Sequence, residues 1–175
     1  MCYNDVMSVY IANYHKNLAE RFEQEKQRLR KLLGSDVLIE HVGSSAVGIG
    51  GKNIVDILIG VESQEAMYVA RDILQKNGYF EGHDSHPDRI FMASSEAETH
   101  EGDYHVHICP HASDTCQDFI VLRDYLLANP EEAHAYYAQK CDFAIAAGHD
   151  RKKYRALKAE YVSELLKRAK KQNPA

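Results

Sequence analysis

The alternation of apolar and charged positions divides the chain into helical and extended segments. Residues 8–33 are rich in Leu, Glu, Lys and Arg and precede Gly34, which predicts a long amphipathic helix. Two apolar segments, 36–43 and 52–61, then predict strands, and the second is apolar enough to be covered on both faces. Residues 63–77 return to helical spacing and stop at Gly78. The predicted apolar side of that helix consists of Ala66, Val69, Ala70, Ile73 and Leu74.

The second half of the chain predicts two more strands followed by helices. Residues 88–94 and 103–110 are rich in β-forming residues, and the polar stretch 95–103 between them suits a hairpin or a mobile loop. Ser113 or Asp114 can cap a helix ending near residue 128, and Asn129-Pro130 opens another that Gly148 stops. Asp150 can cap the last helix. Helices that cluster after the strands predict the α+β class.

Composition narrows the class of protein. A chain of 175 residues, 45% hydrophobic and 27% charged, predicts one soluble globular domain over residues 1–175. The net charge of -5 argues against a broad nucleic-acid surface, because the main basic cluster, residues 167–171, suits a solvated helix end. Four cysteines without a C-x-x-C pair and the absence of a signal-like or membrane-spanning segment lead us to expect a cytoplasmic protein with no membrane partner.

Asp56 interrupts the apolar run of the second predicted strand. A buried carboxylate costs several kcal/mol unless it has a partner or a purpose. In 104–109, alternate side chains share a face, so His105, His107 and Cys109 should point the same way. The two imidazoles and Asp56 could hold a metal ion, although structural cross-strand pairs would produce the same pattern. For Asp56 the structural alternative is an ion pair with Lys52, Arg123 or Lys158.

A Gly-Ser-Ser segment precedes this strand. Gly43, Ser44 and Ser45 could bind phosphate through backbone N–H groups, or form a plain turn. Gly51-Lys52 is followed by Asn53 rather than by Ser or Thr and a helix, which excludes a Walker loop.

The chain resembles the GrpB family, which is similar to the nucleotidyltransferase superfamily. The resemblance covers nearly the whole chain and is carried by IEHVGSSAV (39–47), GGKNIVDILI (50–59), YHVHIC (104–109), LRDYLLANPEEAHAY (122–136) and YRALKAEYV (154–162). It implies a nucleotidyltransferase-like core, with a small mixed sheet flanked by helices and a helical C-terminal third. It also implies a Gly-Ser turn that holds a nucleotide phosphate and two D-h-D carboxylates that hold divalent metal.

By this template Asp56 is the first metal carboxylate, but the second position is Leu58. Replacement ligands could come from His105, His107, Glu40 or Asp103, which would favour Zn, Mn or Fe over Mg. The expected partner is a nucleotide or a phosphorylated small molecule. Three functions follow as hypotheses: a metal-dependent nucleotidyltransferase using Mg²⁺ or Mn²⁺, a catalytically silent nucleotide- or phosphate-binding module, and a His/Asp metal-dependent hydrolase, for which Zn²⁺ is possible. The candidate catalytic and metal residues are Asp56, His105 and His107, and the candidate substrate-binding residues are Gly43, Ser44, Ser45, Lys52, Arg123 and Lys158.

Overall fold

A mixed five-stranded sheet organises the part of the chain that the computed structural model describes, residues 17–51, 53–82, 86–94, 104–148 and 150–172. The strands are β1 (Leu38–Val42), β2 (Val55–Val61), β3 (Phe80–Glu81), β4 (Ile90–Ser94) and β5 (Tyr104–Pro110). The helices are α1 (Leu18–Leu33), α2 (Gly43–Val47), α3 (Gln64–Gln75), α4 (Asp114–Ala128), α5 (Pro130–Ala147) and α6 (Arg151–Gln172). None of these helices is both long enough and apolar enough to cross a bilayer.

The strand order is β1-β2-β5-β4-β3, and only the central pair β2 and β5 runs parallel. The α+β class, the small mixed sheet and the helical C-terminal third predicted from the sequence are therefore confirmed. In the register, Asp56 lies between Val42 and His105, whereas Leu58 lies between Glu40 and His107. The predicted alternation in β5 thus brings both histidines onto the sheet face that carries Asp56.

The two faces of the sheet pack against different helices. On one face, alternate residues of β2 and β5, such as Ile57 and Val106, form the main apolar core with α1 and α3. On the other face, α4 covers a smaller cluster that contains Leu58 and Cys109. Helices α5 and α6 pack on α4 and reach the segment after α2 through Ile49. The C-terminal helices therefore lie beside the end of the sheet where Asp56 is found.

The predicted helix starts are largely explained by their caps. Ser63 and Ser113 accept hydrogen bonds from Ala66 N and Cys116 N, and Asp150 accepts from Lys152 N and Lys153 N. The helix expected from residue 8 is described from Leu18 onwards, and residues 1–16 lie outside the described part.

Two local predictions are wrong, and one short strand was missed. Val69 was placed on the apolar side of α3 but is 60% exposed, because Met67, Ala70 and Leu74 fill the narrow stripe that meets the core. The Gly-Ser-Ser segment is a short helix, α2, rather than a turn. The two-residue strand β3 was not predicted, since so short an edge strand carries no periodic pattern. The predicted loop at residues 95–103 lies outside the described residues.

Candidate functional site

Asp56 stands at the beginning of β2, paired with a histidine of β5. Its Oδ1 atom lies 3.3 Å from His105 Nδ1, and the two side chains are 28% and 22% exposed. Burial raises the pKa of Asp56, but the hydrogen bond and charge of His105, aided by His107 and Lys158, outweigh burial and leave that pKa below its usual value. The carboxylate is therefore ionised at neutral pH and partly exposed.

Gly43 fits against the Asp56 carboxylate as no other residue could. Its φ is +68°, and an added Cβ would lie 2.7 Å from Asp56 Oδ2. A side chain here would be strained by the backbone and would also displace the carboxylate. The glycine thus allows the start of α2 to approach Asp56 directly.

Ser45 is held by three protein groups. Its Oγ accepts a hydrogen bond from Asp56 N at 3.0 Å and donates to Val42 O at 3.2 Å. His41 Nε2 lies 3.0 Å from the same oxygen. The hydroxyl predicted to bind substrate is thus buried among protein partners, and it fixes α2 to the start of β2.

Ser44 instead forms a hydrogen bond with a lysine that was not predicted from the sequence. Lys140 of α5 is 3% exposed, and its Nζ donates to Ser44 Oγ at 2.8 Å and to Gly50 O at 2.6 Å. Burial, followed by the charge of Lys158, lowers the pKa of Lys140 to about 7 despite the attraction of Asp56. The ammonium also lies 5.0 Å and 5.7 Å from the ring centres of Tyr136 and Tyr137.

A signal for Lys140 was present in the sequence. The lysine follows Tyr136 and Tyr137 by four and three residues, so all three share one face of a helix. Apolar and aromatic neighbours at that spacing mark a lysine that turns inward rather than toward solvent.

Lys158 and Arg123, both predicted to bind substrate, lie in different surroundings. The charge of Tyr136 raises the pKa of Lys158 against burial, with help from Tyr154 and Asp56, so Lys158 remains a cation within the electrostatic field of the site. The Arg123 guanidinium donates to Glu40 Oε2 at 2.6 Å and to His41 O at 3.1 Å. Arg123 therefore joins α4 to β1, and Glu40, a suggested replacement ligand, is its ion-pair partner.

His107 occupies an aromatic environment rather than a polar one. Its ring centre lies 5.3 Å from that of Phe91 and 4.6 Å from that of Phe119, and its buried Nδ1 has no hydrogen-bond partner among the described residues. Burial lowers the pKa of His107 to about 3, so the imidazole is neutral. Beside it, Leu58 is fully buried in the apolar cluster under α4.

The donor set fits one divalent ion better than two. Among the described residues, no three His, Cys, Asp or Glu side chains converge as metal ligands. Asp56 and His105 offer two adjacent donors, and hard cations commonly take their remaining ligands from water and substrate phosphates. Leu58 supplies no oxygen for a second ion.

Cys109, the remaining candidate among the described residues, contributes no thiolate to this site. Cys109 is buried against Cys116, whose hydrogen bond raises the pKa of the Cys109 thiol and disfavours the thiolate. Lys52, predicted to bind substrate, and Asp103, a suggested ligand, lie outside the described residues.

Sequence comparisons match known proteins over most of this chain. A family model described as GrpB protein matches residues 8–168. The UPF0157 protein YqkA of Bacillus subtilis is 30% identical over 166 residues, which cover 93% of this chain and 47% of that protein. The chain thus spans about half the length of this relative.

Two solved structures are similar in fold. The crystal structure of conserved protein GrpB from Enterococcus faecalis has a TM-score of 0.79 and 28% identity, covering 93% of this chain and 98% of the other. The Cid1 poly(U) polymerase, solved with MgGTP bound, has a TM-score of 0.52 and 14% identity, covering 77% and 44%. The second likeness concerns the fold alone.

Proposed function

Since the chain belongs to the GrpB family and shares its fold with a poly(U) polymerase, we propose that it binds a nucleoside triphosphate with one divalent ion, Mg²⁺ or Mn²⁺, and transfers the nucleotidyl group to an acceptor. The observation that carries this proposal is the buried Lys140 ammonium. It is hydrogen-bonded to Ser44 and lies within the electrostatic reach of the Asp56 carboxylate.

The charges around Asp56, Lys140 and Lys158 favour a polyanion that arrives with a cation. Lys140 and Lys158 repel each other, and Lys140 donates its hydrogen bonds to two neutral oxygens. A phosphate group between the two lysines would offset their repulsion and the burial of charge. The ionised Asp56 would disfavour the same anion unless a metal ion joined them, so a metal–triphosphate complex suits both the carboxylate and the lysines.

Each residue of the site takes a defined part in this proposal. Ser44, Lys140 and Lys158 would bind the phosphates, and Asp56 would hold the ion. When bound, that ion would supply charge neutralisation at the phosphate oxygens. The acceptor oxygen forms a bond to the α-phosphorus, the bond to the bridging oxygen breaks, and pyrophosphate leaves. His105 is better placed than the enclosed His107 to take the proton from the acceptor.

A second candidate function, a nucleotide-binding module without catalysis, is favoured by one observation. Leu58 replaces the second carboxylate and is sealed in an apolar cluster. A single ion cannot provide the two-ion clamp that stabilises both the attacking and the leaving oxygen. For either function we propose the cytoplasm as the compartment, because the described cysteines are free thiols.

The test combines binding with turnover. Purified protein is titrated with ATP, GTP, CTP and UTP, with and without Mg²⁺ or Mn²⁺, by calorimetry and thermal shift. A nucleotide at 100 times its dissociation constant should stabilise the fold by about 2.7 kcal/mol. Lys140→Met should abolish binding, whereas Lys76→Met, an exposed lysine just past α3 on the other side of the sheet, should not alter it. Failure of all four nucleotides to bind would overturn the proposal.

Turnover then separates the two candidates. Release of pyrophosphate with label transferred to a component of cell extract supports the transferase. Binding without either supports the module. Release of inorganic phosphate, dependent on a tightly bound Zn²⁺ ion, would point to the hydrolase instead.

A further inference from the structure

We infer that His41 is a positioning residue that fixes Asp56 through the Ser45 hydroxyl. His41 and Asp56 are not adjacent, because His41 lies on β1 and faces Ile57 in the strand register. Ser45 stands between the His41 ring and the Asp56 backbone. The inference rests on the proposed function only in its consequence for ligand binding, because the hydrogen bonds themselves are features of the free protein.

The first step is the path of the Asp56 backbone. In an antiparallel pair only alternate residues exchange backbone hydrogen bonds across the ladder. The Asp56 N–H donates to a side chain, Ser45 Oγ, at 3.0 Å. A side-chain hydroxyl is thus bonded to the Asp56 backbone at the point where β1 gives way to α2, and the orientation of Asp56 depends on where that hydroxyl is held.

The second step is the hydrogen-bond balance at Ser45. A hydroxyl has one proton to donate and two lone pairs to accept with. Donation to Val42 O uses the proton, and Asp56 N uses one lone pair. The remaining contact, His41 Nε2 at 3.0 Å, is satisfied when Nε2 carries the proton and donates. The Ser45 hydroxyl then donates one hydrogen bond and accepts two, and His41 is the second donor to it.

The third step is what holds His41 itself. Its ring stacks on Phe22 of α1, with ring centres 4.6 Å apart and planes 10° from parallel. Its carbonyl oxygen accepts from Arg123 of α4. Burial lowers the pKa of His41, which favours the neutral ring. His41 is therefore held in place by helices on both faces of the sheet. Its hydrogen bond to Ser45 restrains Asp56 in turn.

Two variants separate the hydrogen bond from the packing. His41→Phe keeps a flat ring against Phe22 but removes the donor. His41→Gln places an amide N–H where Nε2 stood and serves as the conservative rescue. Because loss of a hydrogen bond costs up to about 1.4 kcal/mol, removal of the donor should alter the dependent equilibria by up to about tenfold.

The experiment is nitrogen-15 NMR of the full chain, followed by ligand titration. We expect the wild-type His41 ring to show a protonated Nε2 and an unprotonated Nδ1. In His41→Phe, hydrogen exchange of the Asp56 amide should accelerate by up to about tenfold while that of Ile59, in the same strand, stays unchanged, and His41→Gln should restore most of the protection. Binding of Mg–nucleotide should weaken up to about tenfold in His41→Phe, whereas metal-free nucleotide binding should not change.

The failures are distinguishable. An unprotonated Nε2, or an Asp56 amide equally protected in His41→Phe, overturns the positioning role whatever binds. Equal loss of Mg–nucleotide binding and metal-free nucleotide binding also overturns it, because the effect would then not be specific to Asp56. If the wild type binds no nucleotide, the proposed function fails, and the amide exchange alone decides the part of His41.

Discussion

Without a ligand, Lys140→Met should have a higher free energy of unfolding than the wild-type protein, by an amount that depends on pH. The pKa of Lys140 is about 7 in the folded state against 10.5 for an ordinary lysine. Below pH 7 both the folded and the unfolded chain hold the proton, so the full destabilisation is present there. As pH rises from 7 to 10.5, the folded protein has released a proton that the unfolded chain still binds, and the stability of the wild type increases.

The magnitude follows from the width of that window. The separation of the two pKa values corresponds to about 5 kcal/mol in total, of which about 3 to 4 kcal/mol is recovered between pH 7 and pH 10. Lys140→Met has no such proton to release, so the difference between its unfolding free energy and that of the wild type should change by this amount. The variant also leaves Gly50 O and Ser44 Oγ without their donor, which shifts the difference by a constant.

The assay is urea unfolding of wild type and variant, without nucleotide, at several pH values from 7 to 10. Lys76→Met, which removes an exposed lysine, serves as the control and should follow the wild-type curve. If the wild-type and Lys140→Met curves run parallel across the whole range, the lysine is not the desolvated cation described above. The electrostatic argument for an anion site would then lose its support.

Three further predictions concern the same site. Leu58→Asp should lower the free energy of unfolding by about 3 kcal/mol or more, because Leu58 is fully buried in an apolar cluster; urea unfolding measures this, and a stable variant with tighter Mg²⁺ binding would instead support the two-carboxylate template. Gly43→Ala should weaken Mg–nucleotide binding, and Gly34→Ala should not, although both glycines have positive φ, because only at Gly43 would a Cβ meet Asp56; calorimetry on the pair decides, and equal effects would mean that backbone strain alone matters. Nucleotide affinity should fall by up to about tenfold per pH unit above pH 7, as Lys140 loses its proton; an affinity that is constant from pH 7 to 9 would contradict this.

The fold could be predicted from local signals because most of them were strong. The caps at Ser113 and Asp150 and the stop at Gly148 defined the C-terminal helices, and the period of two in β5 placed His105 and His107 on one face. The side of α3 was misjudged at Val69, because more residues of that helix are apolar than the core can cover.

The candidate site was harder to predict, because its decisive contacts join distant parts of the chain. Lys140 and Ser44 are 96 residues apart, and Arg123 and Glu40 are 83 apart. The spacing of Tyr136 and Tyr137 marks Lys140 as a lysine that turns inward, but no local pattern specifies that it meets Ser44. Nor does the sequence distinguish Ser44 from Ser45, since one faces Lys140 and the other His41 only after α2 is packed on the sheet.

The most direct test of the central claim is a crystal structure of the protein with a non-hydrolysable nucleoside triphosphate analogue and Mn²⁺. The account predicts Mn²⁺ on the Asp56 carboxylate and phosphate oxygens within hydrogen-bond distance of Ser44 and Lys140. A nucleotide bound elsewhere on the protein, or a site that stays free of both ligands at saturating concentration, would contradict it.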